Sequence, residues 1–282
     1  MPQPAPCEKV TGMRVVSWNL WWRFGDYQRR RHAIRSVLAQ TAPDLCGLQE
    51  VWADRDENLA GWLAAELGLH WAWGPTANPQ QWQARTGDDS AQFGTAILSR
   101  WPLADVAVEE LPAATGRTLL AATVDAPYAK IPFFTTHLAA SAYASTARLT
   151  QVDHIRERVA ARPSDSHPPV LTGDFNAEPD SDEMRALGGD KTTPRTAPGL
   201  ILMDAWRFAD PGDAGLTWDR RNPHVASAPE PSMRIDYIRV GLRYDIEAGR
   251  VESVRVAGTE PVAGVWPSDH FAVVADLREP PA

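Results

Sequence analysis

Cysteine is almost missing from this chain: Cys7 and Cys46 are the only two among 282 residues. Cys7 lies in a Pro-rich start and Cys46 in an apolar run that reads as a buried strand, so a disulfide framework is excluded. A reduced compartment, by default the cytoplasm, is expected. Cys–His spacing of the zinc-binding kind is lacking too. No apolar run approaches the length of a membrane span, so no transmembrane segment is expected. Residues 1–7 have neither a basic start nor an apolar h-region, which argues against a secretory signal. Neither a Gly-x-Ser-x-Gly elbow nor a Walker-type loop occurs, so serine-hydrolase and nucleotide-cradling readings have no foothold. Positive charge is also short. The 28 Lys and Arg face 36 Asp and Glu, a net charge of −8 that disfavours tight non-specific binding to duplex nucleic acid. A metal ion that neutralised several carboxylates would soften that argument.

What the chain does have is an alternation of strand-like and helix-like stretches in which strands end on polar residues. Residues 1–12 are patternless and read as a disordered extension, 13–278 as one domain and 279–282 as a tail. A first strand over 13–20 precedes a helix whose Ile34, Val37 and Leu38 share one face, ended by Pro43. A buried strand over 45–50 leads to a second helix marked by Leu59, Leu63 and Leu67 and closed by Gly68. A polar loop is expected over 75–92, then strands at 94–99, 105–111, 118–124 and 131–137. A third helix spans about 145–161, and a strand at 169–172 precedes a short helix capped by Asp180 or Ser181. Residues 188–200 and 210–232 read as loops, and strands at 235–240, 246–256 and 271–277 follow. No repeat or composition shift marks a second domain, and the element order predicts sheets packed face to face with helices outside.

Six polar sites fall where these strands give way to loops: Asn19, Glu50, His137, Asp174 with Asn176, Asp236, and Asp269 with His270. Strand ends on one edge of a sheet converge, so residues distant in sequence can line one cleft. Their chemistry is coherent. Glu50, Asp174 and Asp269 are hard oxygen donors suited to Mg²⁺ or Mn²⁺. His137 and His270 offer donors or a base, and a histidine beside one acid and held by another is a water-activating arrangement.

Ser17-Trp-Asn-Leu20, Leu48-Gln-Glu-Val51, Thr136-His-Leu138, Gly173-Asp-Phe-Asn176, Arg234-Ile-Asp-Tyr237 and Ser268-Asp-His270 together resemble the motifs of the endonuclease/exonuclease/phosphatase superfamily, in the family's order and over nearly the whole chain. The resemblance implies a four-layer α/β sandwich, two packed mixed sheets flanked by helices. It also implies a Mg²⁺-dependent phosphoesterase, with Mn²⁺ as a substitute ion. Carried over by position, Glu50 would be the main metal ligand, with Asn19 and Asp269 completing or supporting the site. Asp174 would transfer a proton and Asn176 would orient the phosphate. His137 would donate to a phosphate oxygen, as in the nuclease and sphingomyelinase branches. His270 would activate water or stabilise the transition state, and Asp236 would fix its tautomer. Whether Asp174 or His270 takes the proton from water stays open on the sequence.

Other features read more plainly. Arg29, Arg30, Arg31 and Arg35 are expected on a solvated helix face rather than in a phosphate patch. Most of the twelve tryptophans are expected in the core. Arg221 sits in a loop that could overhang the site and is the candidate substrate contact. The expected substrate is a phosphate ester, whether nucleic acid, phospholipid or small phosphodiester. A small or single-stranded one is favoured over duplex DNA, with no obligate protein partner evident. The remote alternative is a non-catalytic binding module, which would require losses at metal and histidine positions that are all filled here.

Overall fold

The computed structural model describes residues 12–279; Cys7, residues 1–11 of the expected extension and residues 280–282 of the tail lie outside the described residues, while Gly12 already belongs to the first strand. Among the described residues, twelve strands form two six-stranded mixed sheets. The first contains β1 (Gly12–Asn19), β2 (Leu45–Ala53), β3 (His70–Pro75), β4 (Gln92–Ser99), β11 (Val251–Ala257) and β12 (Ala272–Arg278), in the order β11-β12-β1-β2-β4-β3. The second contains β5 (Leu103–Glu110), β6 (Thr118–Ala126), β7 (Ala129–His137), β8 (Val170–Asp174), β9 (Leu202–Asp204) and β10 (Asp236–Gly241), in the order β5-β6-β7-β8-β10-β9.

The central strands are apolar on both faces because both faces are covered. Between the sheets lie Val15, Leu45, Ile97, Phe133, Ile238 and Val273. On the outer face of the first sheet, Trp18, Leu48 and Val274 meet Ile34 and Leu38 of α1 (Tyr27–Thr41) and Leu59 and Leu63 of α2 (Leu59–Leu67). On the outer face of the second, Phe134 and Leu171 meet Val152, Ile155 and Val159 of α4 (Ser145–Ala160) and Leu187 of α5 (Asp182–Gly188). Helix, sheet, sheet, helix is the four-layer sandwich expected from the sequence. Local caps set the helix ends, at Ser181 and Gly68 as expected and at Asn58 without an expectation. Asn58 and Ser181 accept from the first-turn amides of α2 and α5, and Gly68 closes α2 in the left-handed conformation.

Each sheet is built on one β-α-β unit. β1 and β2 are parallel and joined through α1, while β7 and β8 are parallel and joined through α4. The carboxyl ends of these four strands therefore point to one edge of the sandwich, where ligands of such sheets bind. Their antiparallel neighbours β10 and β12 start at that same edge.

The expected loop over 75–92 needs correction: it contains α3 (Gln80–Thr86), and the edge strand β3 precedes it. Helix α3 has no buried residue and no side-chain N-cap, so it left no periodic signal. Strand β9 has three residues, too few for a pattern. The strand expected at 246–256 starts only at Val251, after a turn with Gly249 at φ 80°.

Beneath this edge the sheets are drawn together by small and polar residues. Gly173 N–H donates to Ser17 Oγ at 3.0 Å and Gln49 Nε2 donates to Thr135 Oγ1 at 3.0 Å, both across the interface. Gly47 lies between them, and a Cβ there would collide with Thr172 and come within 2.7 Å of Thr135 Oγ1. Gly47→Ala must therefore push the sheets apart. We expect it to cost about 3 kcal/mol, the upper end for overpacking, or roughly 6–12 °C in Tm for a domain of this size. A melt within two degrees of wild type would mean that the sheets spread freely here.

Candidate active site

The sheet register aligns three of the expected residues in one row. His137 pairs with Asp174 across β7 and β8, and Asp174 pairs with Asp236 across β8 and β10. The facing sheet contributes Asn19 from the end of β1, whose Nδ2 donates to Asp174 Oδ2 at 2.9 Å. Asn19 Oδ1 accepts from Trp21 N–H, so the amide orientation is fixed at both ends. Asn176, at φ 49°, donates its N–H to Asp174 Oδ1 and its side-chain amide to Leu138 O. One Nδ2 hydrogen is thus committed to the backbone, and the second, an available donor, is the group that can meet a phosphate oxygen.

His270 completes this group. Its Nδ1 meets Asp236 Oδ2 at 2.8 Å and its Nε2 lies 3.9 Å from Asp174 Oδ2. The backbone around it is locked. Trp18 Nε1 donates to His270 O, His270 N–H donates to Ser268 Oγ, and Ser268 Oγ donates to Asn19 O. Thr217 Oγ1 accepts from Asp236 N–H, and Thr217 O accepts from Phe271 N–H. Burial works against a charge on His270, but Asp236, Asp269 and Asp174 outweigh it and hold the imidazolium well above its ordinary range. Asp174 is pushed up to about 6 by burial and by Asp236. A charged histidine locked to one carboxylate, beside another carboxylate of raised basicity, can stabilise negative charge and accept a proton from adjacent groups.

Glu50 and Asp269 form the other half. A β-bulge between Leu48 and Val51 turns Glu50 out of the β2 ladder at φ 51°. Trp22 N–H holds the Glu50 carbonyl at 2.9 Å. Glu50 is half-buried as a residue, and its buried Oε2 has no hydrogen-bond partner. Burial and then the Asp269 charge raise it to about 7, and burial raises Asp269 as well. An orphaned carboxylate oxygen beside a second, like-charged carboxylate fits a divalent cation and is otherwise costly. Asp174, Asp236 and His270 also place ligand atoms within 4.8 Å of one another, but the His270–Asp236 bond occupies that imidazole.

Two arginines stand at the site, one with no sequence signal and one expected elsewhere. Arg117, in the turn before β6, donates from Nη1 to His137 Nδ1 at 2.8 Å. The expectation that Arg29, Arg30, Arg31 and Arg35 share a solvated face fails at Arg30, which is 2% exposed. Its guanidinium donates to the carbonyls of Leu20, Trp21, Trp22, Phe24 and Pro267 and so ties the loop after Asn19 to the loop before Ser268. Arg30 stands four and seven residues before Ile34 and Val37, so it shares their inward face of α1. Arg221 is exposed, pairs with Asp219 at 2.7 Å and lies 5.8 Å from the Phe271 ring centroid. Trp18, Trp22 and Trp52 are core residues as expected. Two surface hollows of about 710 and 560 Å³ are lined by residues such as Lys130 and Tyr244 and include none of these groups.

Comparison with known proteins agrees with this geometry. The model of the endonuclease/exonuclease/phosphatase family matches residues 16–270. Tyrosyl-DNA phosphodiesterase 2 of Xenopus laevis is 26% identical over 279 residues, covering 96% of this chain and 67% of that protein. The structure of D. rerio TDP2 complexed with a single-strand DNA product superposes with a TM-score of 0.75 at 19% identity, over 95% of this chain and 100% of the other. The human Nocturnin catalytic domain gives 0.71 at 21% identity, over 95% and 94%. No helix among the described residues is long and apolar enough to cross a membrane. Since the match runs from the middle of β1 through His270, the chain belongs to the endonuclease/exonuclease/phosphatase family and is a metal-dependent hydrolase of phosphoester bonds.

Proposed function

We propose that this chain is a Mg²⁺-dependent phosphodiesterase, with Mn²⁺ as a working substitute, acting on a phosphodiester at the end of a single DNA strand. The observation that carries the metal reading is the unpartnered Glu50 Oε2 beside Asp269. Glu50 and Asp269 would hold the ion, with Asn19 supporting the site through Asp174. When bound, the ion would neutralise phosphate charge and the charge developing on the leaving oxygen. His270, held by Asp236, donates from Nε2 to the phosphoryl oxygens as charge builds. Asp174 takes the proton of the attacking water, since a protonated His270 has no free lone pair. His137 donates to a phosphate oxygen, and the Asn176 amide positions the group. Arg221 is the candidate contact for a phosphate further along the strand.

The substrate class rests on the tyrosyl-DNA phosphodiesterase relatives, on the single-strand product in the D. rerio structure and on the net charge of −8. Trp21 lies beside Asn19, partly exposed and packed on His224 at 4.3 Å, and offers an aromatic surface for an unpaired base or an aryl leaving group. The single described cysteine, Cys46, is buried, which suits a reduced compartment such as the cytoplasm.

The test is a Mg²⁺ assay on an oligonucleotide carrying a terminal p-nitrophenyl phosphodiester, run beside supercoiled plasmid and sphingomyelin. We expect nitrophenol release from the single strand, with log(kcat/KM) falling by only about one to two units per log unit of salt, as for one or two neutralised phosphates. Efficient plasmid nicking with a steep salt slope would instead make the protein a duplex nuclease.

A further inference from the structure

His137 lies 3.4 Å through Nε2 from Asp174 Oδ2, in the middle of the site, and only 2% of it is exposed. A neutral imidazole there can carry its proton on either nitrogen, and the two tautomers have opposite chemistry. With the proton on Nδ1, Nε2 would present a lone pair to the Asp174 carboxylate and repel it. With the proton on Nε2, His137 is a donor aimed at the carboxylate and the cleft.

Arg117 decides between them. Its Nη1 approaches His137 Nδ1 at 2.8 Å, and a guanidinium has donors only. Nδ1 must therefore accept, which leaves the proton on Nε2. The arginine is itself held firmly. Its Cζ lies 5.3 Å from the Phe93 ring centroid, and Phe93 stacks on Trp82 at 4.0 Å with 6° between the planes. Gly116 O, just before it, accepts from Thr76 Oγ1 and Ala77 N–H, and Arg117 O accepts from Leu111 N–H. Burial and the Arg117 charge also keep His137 from taking a second proton, lowering it well below its ordinary range, with His270 adding to the effect.

We infer that Arg117 is a positioning residue that fixes His137 as the Nε2–H tautomer and so makes it an obligate hydrogen-bond donor to the reacting phosphate. Arg117 then acts through His137, and its loss leaves the ring free to present a lone pair where a donor is needed. The kinetic consequence rests on the phosphodiesterase reading above, whereas the tautomer itself does not.

The first measurement is a ¹⁵N spectrum of histidine-labelled, metal-free protein, with the His137 signals assigned by their loss in His137→Gln. We expect a pyridine-like Nδ1 and a protonated Nε2 in the wild type, a mixture in Arg117→Met, and the wild-type pattern restored in Arg117→Lys. A proton on Nδ1 in the wild type would overturn the inference whether or not any variant folds, as would an unchanged tautomer in a folded Arg117→Met. The second measurement is kinetic. Arg117→Met should lower kcat about 10–100-fold, the usual cost of removing a group that orients another, with KM little changed. In the His137→Gln background, whose amide supplies a donor without help, Arg117→Met should cost less than about threefold. Losses that multiply would mean that Arg117 works on the substrate directly. Failure of every substrate to turn over would count against the phosphodiesterase reading and leave the tautomer result standing.

Discussion

His270→Ala is expected to lower kcat/KM by about 10²–10⁴-fold, the span of a lost proton-transfer or charge-stabilising partner. Asp236→Asn should come close to that loss while keeping the fold. An amide can still sit 2.8 Å from Nδ1, but it neither stabilises an imidazolium nor dictates which nitrogen is protonated. The pair should behave as a unit, so the double variant should fall within roughly threefold of His270→Ala alone. Single-turnover rates of the three proteins with saturating Mg²⁺ check this. Strictly multiplicative losses would mean that the two side chains serve separate steps.

Glu50→Gln is expected to be the other severe change, and its signature has opposite signs with and without metal. Loss of the ligand charge should slow turnover by several kcal/mol of barrier, about 10²–10⁴-fold, and raise the Mg²⁺ concentration needed; EDTA should abolish wild-type activity. The metal-free protein should respond in the other direction. Burial and Asp269 raise Glu50 from 4.5 to about 7, so the folded state holds a proton that the unfolded state has released. The resulting penalty is absent below pH 4.5, grows as pH rises toward 7 and is complete above it. Because Glu50 is only half-buried, we expect removal of its charge to return roughly 1–2 kcal/mol. At pH 8 in EDTA, Glu50→Gln should therefore melt above wild type, and Mg²⁺ should reverse the order. A variant that melts lower in EDTA would show that Glu50 is not under repulsion.

The strand-end residues were legible because each closes or opens a strongly apolar run, and such runs could be placed from their pattern alone. Asn19, His137 and Asp174 terminate β1, β7 and β8, and Asp236 opens β10. Glu50 was legible as a strand end although its strand continues to Ala53, since the bulge that turns it outward imitates an ending. Arg117 was not legible. It sits in a turn with no motif, and its meaning comes from the register that sets it against His137, 20 residues away. Arg30 was hidden among like neighbours, its partners being backbone carbonyls that no sequence displays. Helix α3 and strands β3 and β9 are short edge elements, held by contacts to β4, β10 and α5 rather than by their own periodicity.

The antiparallel pairing of β1 with β12 bears on how the molecule comes into being. Ser268 Oγ and Asn19 O meet across 249 residues, and Arg30 reaches Pro267 across 237. Contacts of such separation must repay loop closure before they reward it, so topologies rich in them fold late and slowly. On the ribosome, the second sheet's β5–β8 block can pair while β1 still lacks a neighbour on its β12 side. The cleft cannot close until residues 268–277 have emerged and β12 has slotted between β1 and β11. A nascent chain short of that point carries Glu50, His137 and Asp174 without His270, so the cleft stays incomplete until the segment that holds Ser268 and His270 has been made.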